Sequence, residues 1–211
     1  MNPVAAAFGY PFRRGAGRAW AIGLPLVVVL PIGLVPLLGY AIAAVRASAI
    51  DAAAPPPPWT PLRRLLADGV LAALLLAALT LPFTLLAWVF APAATGAIAP
   101  LLGDPFLRSA FGALIAGALV AFPWGCLLLL VVPGVLARFA RSGAARDLFD
   151  LGRGVAVVRA RFATWNLVVV AIVTAWALGI AAAGLACIGI VPGVLFALLA
   201  SSHATAALVD A

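Results

Sequence analysis

Neither lysine nor glutamate occurs anywhere in this chain, and only 9 % of its 211 residues are charged. A soluble domain carries about 25 % charged residues, because its surface faces water. Too few charges are present here to solvate a surface. Most of that surface must face lipid, and the chain reads as an integral membrane protein. Cysteine is also scarce. Cys126 and Cys187 both sit in apolar runs and belong to no C-x-x-C or metal-ligand spacing, so they read as small buried hydrophobes. His203 is the only histidine, which excludes two-histidine zinc sites and histidine relays; no metal and no cofactor is expected. The aspartates (Asp51, Asp68, Asp104, Asp147, Asp150 and Asp210) fall at the ends of apolar stretches or between them, so no stretch has an ionisable residue at its centre. Ion-coupled pumps keep such a residue inside the membrane. Proton or sodium pumping is therefore disfavoured, while a passive pathway or an apolar substrate stays open.

What the chain does have is apolar surface and arginine: 66 % of it is hydrophobic, and its net charge is +7. Strong basicity can mean nucleic acid, yet no basic region stands apart from the apolar ones, and no nucleic-acid partner is expected. The arginines read instead as the residues that gather on the cytoplasmic face and set orientation. Three of them precede the first apolar run, as in a signal peptide, and Ala47–Ala49 offers a small-residue cleavage site. That run, Ala19–Val45, is 27 residues long and carries Pro25, Pro31 and Pro36. A signal-peptide core has about 7–15 residues, so the run is expected to stay in the fold.

Four apolar stretches are long enough to matter: 19–45, 65–91, 106–137 and 162–208, the last divided by a turn at 184–189. Spanning takes about 20 apolar residues at 1.5 Å each. If the first stretch enters and returns on one side, folding near Pro31-Ile32-Gly33, then 12 of the 13 arginines are cytoplasmic and only Arg108 lies outside. Both termini are then cytoplasmic. Each arm of that hairpin is too short to cross, so it should be re-entrant and sheltered inside the bundle, since lipid offers no hydrogen bonds. A repeat supports hairpins. "PIGLVPLLGYAIAAVRASA" (31–49) aligns without gaps on 187–206, whose final alanine is unmatched, and "VPGVL" recurs at Val132–Leu136 and Val191–Leu195. Each copy is read as the returning arm of a hairpin whose proline starts or kinks a helix.

The prediction is one membrane domain over 1–211: hairpin 19–46, a Pro-rich cytoplasmic linker 47–64, hairpin 65–137, an interfacial segment 138–161, and hairpin 162–209. In the linker, "PPPPW" favours a stiff spacer, with Thr60 capping a helix and Pro61 at its first position. Phe122-Pro123-Trp124-Gly125 is expected to kink the third stretch. In the interfacial segment Leu148, Leu151, Val155, Val158 and Phe162 step by 3, 4, 3 and 4, predicting one amphipathic helix over 145–162 lying in the membrane surface. Asp150 can pair with Arg146 or Arg153. Arg138, Arg141, Arg146, Arg153, Arg159 and Arg161 are the candidates for contact with anionic lipid headgroups.

At these residues the chain resembles a known family. "FGYPFRR", a Pro/Gly-broken apolar arm with "GY…VR", then "PW", "ADG" and "VPGVLARFARSGAARDLFDLGRG" are similar to the domain-of-unknown-function family 4013, multi-pass membrane proteins of bacteria and archaea. The resemblance runs from Phe8 to His203. It implies an integral membrane helical bundle, and it brings no catalytic residues. "PPPPW" departs from the acidic-flanked Pro-Trp more usual there.

The remaining polar cluster is Ser201, Ser202, His203 and Thr205. It reads as a helix end emerging at the interface, with His203 the one candidate for a polar contact and Asp210 within reach. Ala113-x-x-x-Gly117 and Gly179-x-x-x-Ala183 fit close helix packing. The expected fold is all-α, a membrane bundle with a re-entrant N-terminal hairpin, about four full spans and a cytoplasmic interfacial helix. The expected role is non-enzymatic, a scaffold or partner subunit in the cell membrane. Its partners would be the bilayer, anionic headgroups, and another membrane protein or a second copy of itself. The alternative is a permease-like subunit for an apolar or lipid-like substrate.

Overall fold

The computed structural model describes residues 3–184 and 189–209, and among these there is helix and turn but no strand. The helices are α1 (Pro3–Gly9), α2 (Gly17–Val28), α3 (Leu34–Ile50), α4 (Leu62–Ile98), α5 (Pro105–Ser142), α6 (Ala145–Phe149), α7 (Leu151–Ala160), α8 (Phe162–Ala181) and α9 (Ile190–Ala206). The all-α bundle expected from composition is the fold observed. Two compact units can be told apart: Met1–Ala73 with Val131–Ala211, and Leu74–Leu130.

In the first unit, α9 lies at the centre and packs against α1, α2, α3 and α8. The first apolar run is not one helix. It breaks at 29–33 into α2 and α3, whose 12 and 17 residues reach about 18 and 25 Å, short of a 30 Å core. Gly33 stands at the break and precedes α3. A Cβ on it would collide with the Leu26 carbonyl, seven residues earlier. The same device recurs at Gly189, which precedes α9 and whose Cβ would collide with the Ala182 carbonyl, again seven residues earlier. α3 and α9 are both 17 residues long, with a proline (Pro36, Pro192) at the third position. The repeat therefore reaches further back than 31–49. Trp20-Ala21-Ile22-Gly23 stands at the same spacing of 156 from Trp176-Ala177-Leu178-Gly179, so both arms of the two hairpins correspond. Residues 187 and 188 of the alignment, and Leu185 and Ala186 of the expected 184–189 turn, lie outside the described residues.

Three expectations change here. Of the two roles expected of the proline, a start or a kink, the middle "VPGVL" does not supply a helix start, because Pro133 lies deep inside the continuous α5. The tip of the first hairpin is not sheltered: Val28, Leu30 and Ile32 are exposed, while its arms pack on α9. Pro61, not Thr60, holds the cap position of α4, since its carbonyl accepts from the Arg64 and Leu65 N–H groups at 3.1 and 3.3 Å. The proline linker, expected as a stiff spacer, is in addition docked. The Tyr40 hydroxyl donates to the Pro57 carbonyl at 2.8 Å, Trp59 stacks on Tyr40 at 3.9 Å, and Arg13 donates to the Ala52 and Ala54 carbonyls at 2.7 and 2.8 Å.

The second unit consists of the facing parts of α4 and α5. These helices have 37 and 38 residues, or about 55 Å each, more than a membrane core requires. The connection between them is shorter than the gap between the apolar stretches 65–91 and 106–137, because α4 continues to Ile98. Asp104 opens α5, its carboxylate accepting from the Phe106 and Leu107 N–H groups at 2.8 and 3.0 Å, with Pro105 at the first helical position. The helix runs without interruption through Pro123. Trp124 donates to the Thr80 hydroxyl at 3.2 Å. Cys126 is exposed rather than buried, and Cys187 lies outside the described residues.

Among the described residues, three helical segments are long and apolar enough to cross a membrane: α4, α5 and Phe162–Gly184. The fourth expected span, α9, has 17 residues and falls with the shorter apolar helices.

Candidate functional site

The arginine-rich end of α5 and the segment after it form the most polar part of the first unit. Gly143 ends α5. It takes φ +68°, and its N–H donates to the Phe139 carbonyl at 2.8 Å, a left-handed cap that only glycine adopts cheaply. Beyond this cap the chain does not form the single helix over 145–162 that the apolar spacing predicted. Asp150 leaves the helical conformation, with φ −82° and ψ 78°, and separates α6 from α7. Its carboxylate caps α7, accepting from the Arg153 N–H at 3.0 Å and pairing with the Arg153 side chain at 3.1 Å. It does not pair with Arg146. The break resets the register, so the buried face of α7 is Gly154, Val157 and Val158, joined by Leu148 of α6. Leu151 and Phe162, assigned to the buried face by spacing, are exposed, and Val155 is half-buried. The middle "VPGVL" finds its purpose here. A Cβ on Gly134 would lie 2.6 Å from the Gly154 carbonyl oxygen, so α5 and α7 meet through two glycines.

The six arginine candidates divide by what holds them. Arg138 is half-buried and donates to Asp147 at 2.9 Å. Arg153 is held by Asp150, and Arg161 sits at the junction of α7 and α8 with a partner of its own. Arg141, Arg146 and Arg159 are exposed, with no hydrogen bond or ion pair among the described residues. Arg138, Arg141, Ser142, Asp147 and Val209 line a cleft of about 380 Å³. A hydrogen bond with Ser142 is the largest cause holding the Asp147 carboxyl below the usual carboxylate range; desolvation opposes it, and Arg138 and Arg146 add to the lowering. Asp147 therefore stays ionised at neutral pH.

Next to this cleft in the chain, Phe139 and Ala140 of α5 meet Arg46 of α3. The Arg46 guanidinium donates to the Ala140 carbonyl at 3.0 Å, lies 5.3 Å from the Phe139 ring centre, and pairs with Asp68 of α4. One arginine thus joins three helices, and the pair is nearly excluded from water.

His203 does not emerge at an interface. It is buried in the last turn of α9, with its Nδ1 2.9 Å from the Ser48 hydroxyl of α3 and its ring stacked on Tyr10 at 4.6 Å. Ser202 and Thr205 donate back to the Leu198 and Ser201 carbonyls of their own helix at 2.7 and 2.8 Å. Asp210 lies outside the described residues. Of this cluster His203 alone reaches other elements; Ser202 and Thr205 are satisfied within α9, and the buried Ser201 hydroxyl has no hydrogen-bond partner among the described residues.

Sequence reasoning missed Tyr10, Arg46, Ser48, Asp68, Ser142 and Asp147 as partners. One signal was available for Ser48: α3 and α9 are copies of one another, and His203 falls one position from the counterpart of Ser48. Arginine and hydroxyl groups at the cleft can bind an anion by charge-assisted hydrogen bonds. Among the described residues no group of three or more His, Cys, Asp or Glu side chains is arranged to hold a metal ion.

The profile of the family described as Protein of unknown function (DUF4013) matches residues 22–199, from α2 into α9, and so takes in most of both copies of the repeated hairpin. No curated protein and no solved structure matches the chain.

Proposed function

We propose that this chain, which belongs to the DUF4013 family, is a non-enzymatic multi-pass protein of the cell membrane that serves as a scaffold or partner subunit. The observation that carries the reading is the nakedness of its longest helices. Only 17 % of the most apolar window of α4, and 17 % of that of α5, is covered by protein. Leu85 on α4 and Leu114 on α5 are among the exposed residues. In a bilayer such faces meet lipid tails or the helices of another membrane protein. Buried polar side chains of the first unit pair across helices, as Arg46–Asp68 and Ser48–His203 do, which suits a rigid support. In this reading both termini are cytoplasmic, and the short α2–α3 hairpin is re-entrant, entering the membrane without crossing it.

A second reading, a permease-like subunit for an apolar or lipid-like substrate, draws support from the repeated hairpins, because internal repeats recur in transporters.

The test is photo-crosslinking in the native membrane, with a photoreactive amino acid at Leu85 or Leu114. The scaffold reading expects discrete protein adducts at one or both positions, and formation of lipid adducts alone overturns it. The permease reading is tested separately, by whether purified protein in vesicles accelerates movement of a fluorescent lipid between leaflets.

A further inference from the structure

We propose that the cleft formed by Arg138, Arg141, Ser142, Asp147 and Val209 is a binding site for a phosphate group of the kind carried by an anionic phospholipid. Three observations lead there. The cleft has a volume of about 380 Å³, enough for a phosphate with part of its glycerol. Among the described residues its lining carries two guanidinium groups and one hydroxyl against a single carboxylate, a net positive balance, and Arg146 stands near enough to Asp147 to add to that field. Its donors are also under-used. Among the described residues, Arg138 gives one N–H to Asp147 while its Nε is buried with no acceptor, and Arg141 has no partner. A phosphate oxygen supplies what the Arg138 Nε lacks, and charge-assisted bonds to arginine are roughly twice as strong as neutral ones.

Geometry also favours a lipid source. Arg138 and Arg141 lie at the end of α5, a helix long and apolar enough to cross a membrane, where headgroups are found. Val209 gives the cleft an apolar wall, and Phe149 at the end of α6 is exposed. Asp147 acts as the competitor: it occupies Arg138 until an anion displaces it.

The inference rests on the membrane reading, so resistance of each variant to alkaline carbonate extraction is checked first. A chain that extracts as a soluble protein ends the membrane reading, whereas a chain that stays in the membrane leaves the site on trial by itself. Native mass spectrometry of the full-length protein in detergent then measures binding of phosphatidylglycerol against phosphatidylcholine, with inorganic phosphate as competitor. R138Q/R141Q should weaken phosphatidylglycerol binding by about tenfold or more. R14Q/R18Q, which removes the same charge from exposed positions elsewhere, should change it by less than about twofold. D147N should strengthen binding by freeing Arg138, a gain that a purely structural role for Asp147 would not produce. Displacement of the lipid by millimolar inorganic phosphate would assign the site to free phosphate, and persistence of the lipid would assign it to the headgroup. Equal loss in R138Q/R141Q and R14Q/R18Q, or weakened binding in D147N, overturns the proposal.

Discussion

Arg46 is the residue on which most depends. Its charge is balanced by Asp68, one of its donors is met by the Ala140 carbonyl, and it lies over Phe139. Arg64 also approaches Asp68, at 3.9 Å, but its side chain is 62 % exposed and too well solvated to take Arg46's place. Arg46→Ala leaves a carboxylate nearly shut off from water, and breaking one side of such a pair costs about 3–5 kcal/mol. Arg46→Met with Asp68→Leu removes both charges and should cost clearly less. Thermal unfolding of the three proteins in one detergent measures this, and equal losses for the single and double variants would show that the two side chains are not coupled. In the sequence, Arg46 and Asp68 are only charges at the ends of apolar runs. Nothing local announces that they meet, because the pairing is made by the packing of α3 on α4. The same holds at the cleft. Arg138 and Arg141 stand out as basic residues near a membrane end, but Asp147 and Val209 reach them through a turn and from another part of the chain.

At the scale of elements, the repeated hairpin was the feature most open to reading. An apolar run interrupted by Ile-Gly and Val-Pro has to stop and restart, and both α3 and α9 begin where that pattern places them. Gly33→Ala and Gly189→Ala should each lower stability by about 1–3 kcal/mol, since the added carbon meets a carbonyl that cannot yield without opening the turn. Gly125→Ala is the control: nothing lies within 4 Å of its added carbon, and alanine in a helix gains about 0.5–1 kcal/mol over glycine. Thermal unfolding separates the two classes. What the pattern could not supply was the break at Asp150. Leucine and valine at spacings of 3 and 4 describe a continuous helix, and a side chain that caps α7 competes with that periodicity. The break then turned Leu151 and Phe162 outward. In the same way, the proline of "VPGVL" carries two different placements, in the first turn of α9 and deep inside α5. Its glycine does the same in both: Gly193 admits α8 at Gly179 as Gly134 admits α7 at Gly154.

For the whole molecule, the twelve-to-one division of arginine gives a definite expectation of sidedness. In a chain freed of Cys126 and Cys187, a cysteine at exposed Ala53 or Ser142 should react with an impermeant maleimide only after the membrane is opened. One at exposed Gly103 should react in intact cells. Ser48 is unsuited to this test, because it is buried against His203. Labelling of Ala53→Cys or Ser142→Cys from outside would invert the topology. The central place of α9 also bears on how the protein is made. Ser48 and His203 are 155 residues apart, and α1, α2 and α3 all rest on a helix that leaves the ribosome last among them. At about 5–20 residues per second, the early helices wait on the order of ten seconds for it. During that interval the nascent chain is a set of loose apolar hairpins, in the keeping of whatever insertase and chaperones attend it. A message cut short before Ile190 would leave it in that state, open to the proteases that clear unfinished membrane proteins.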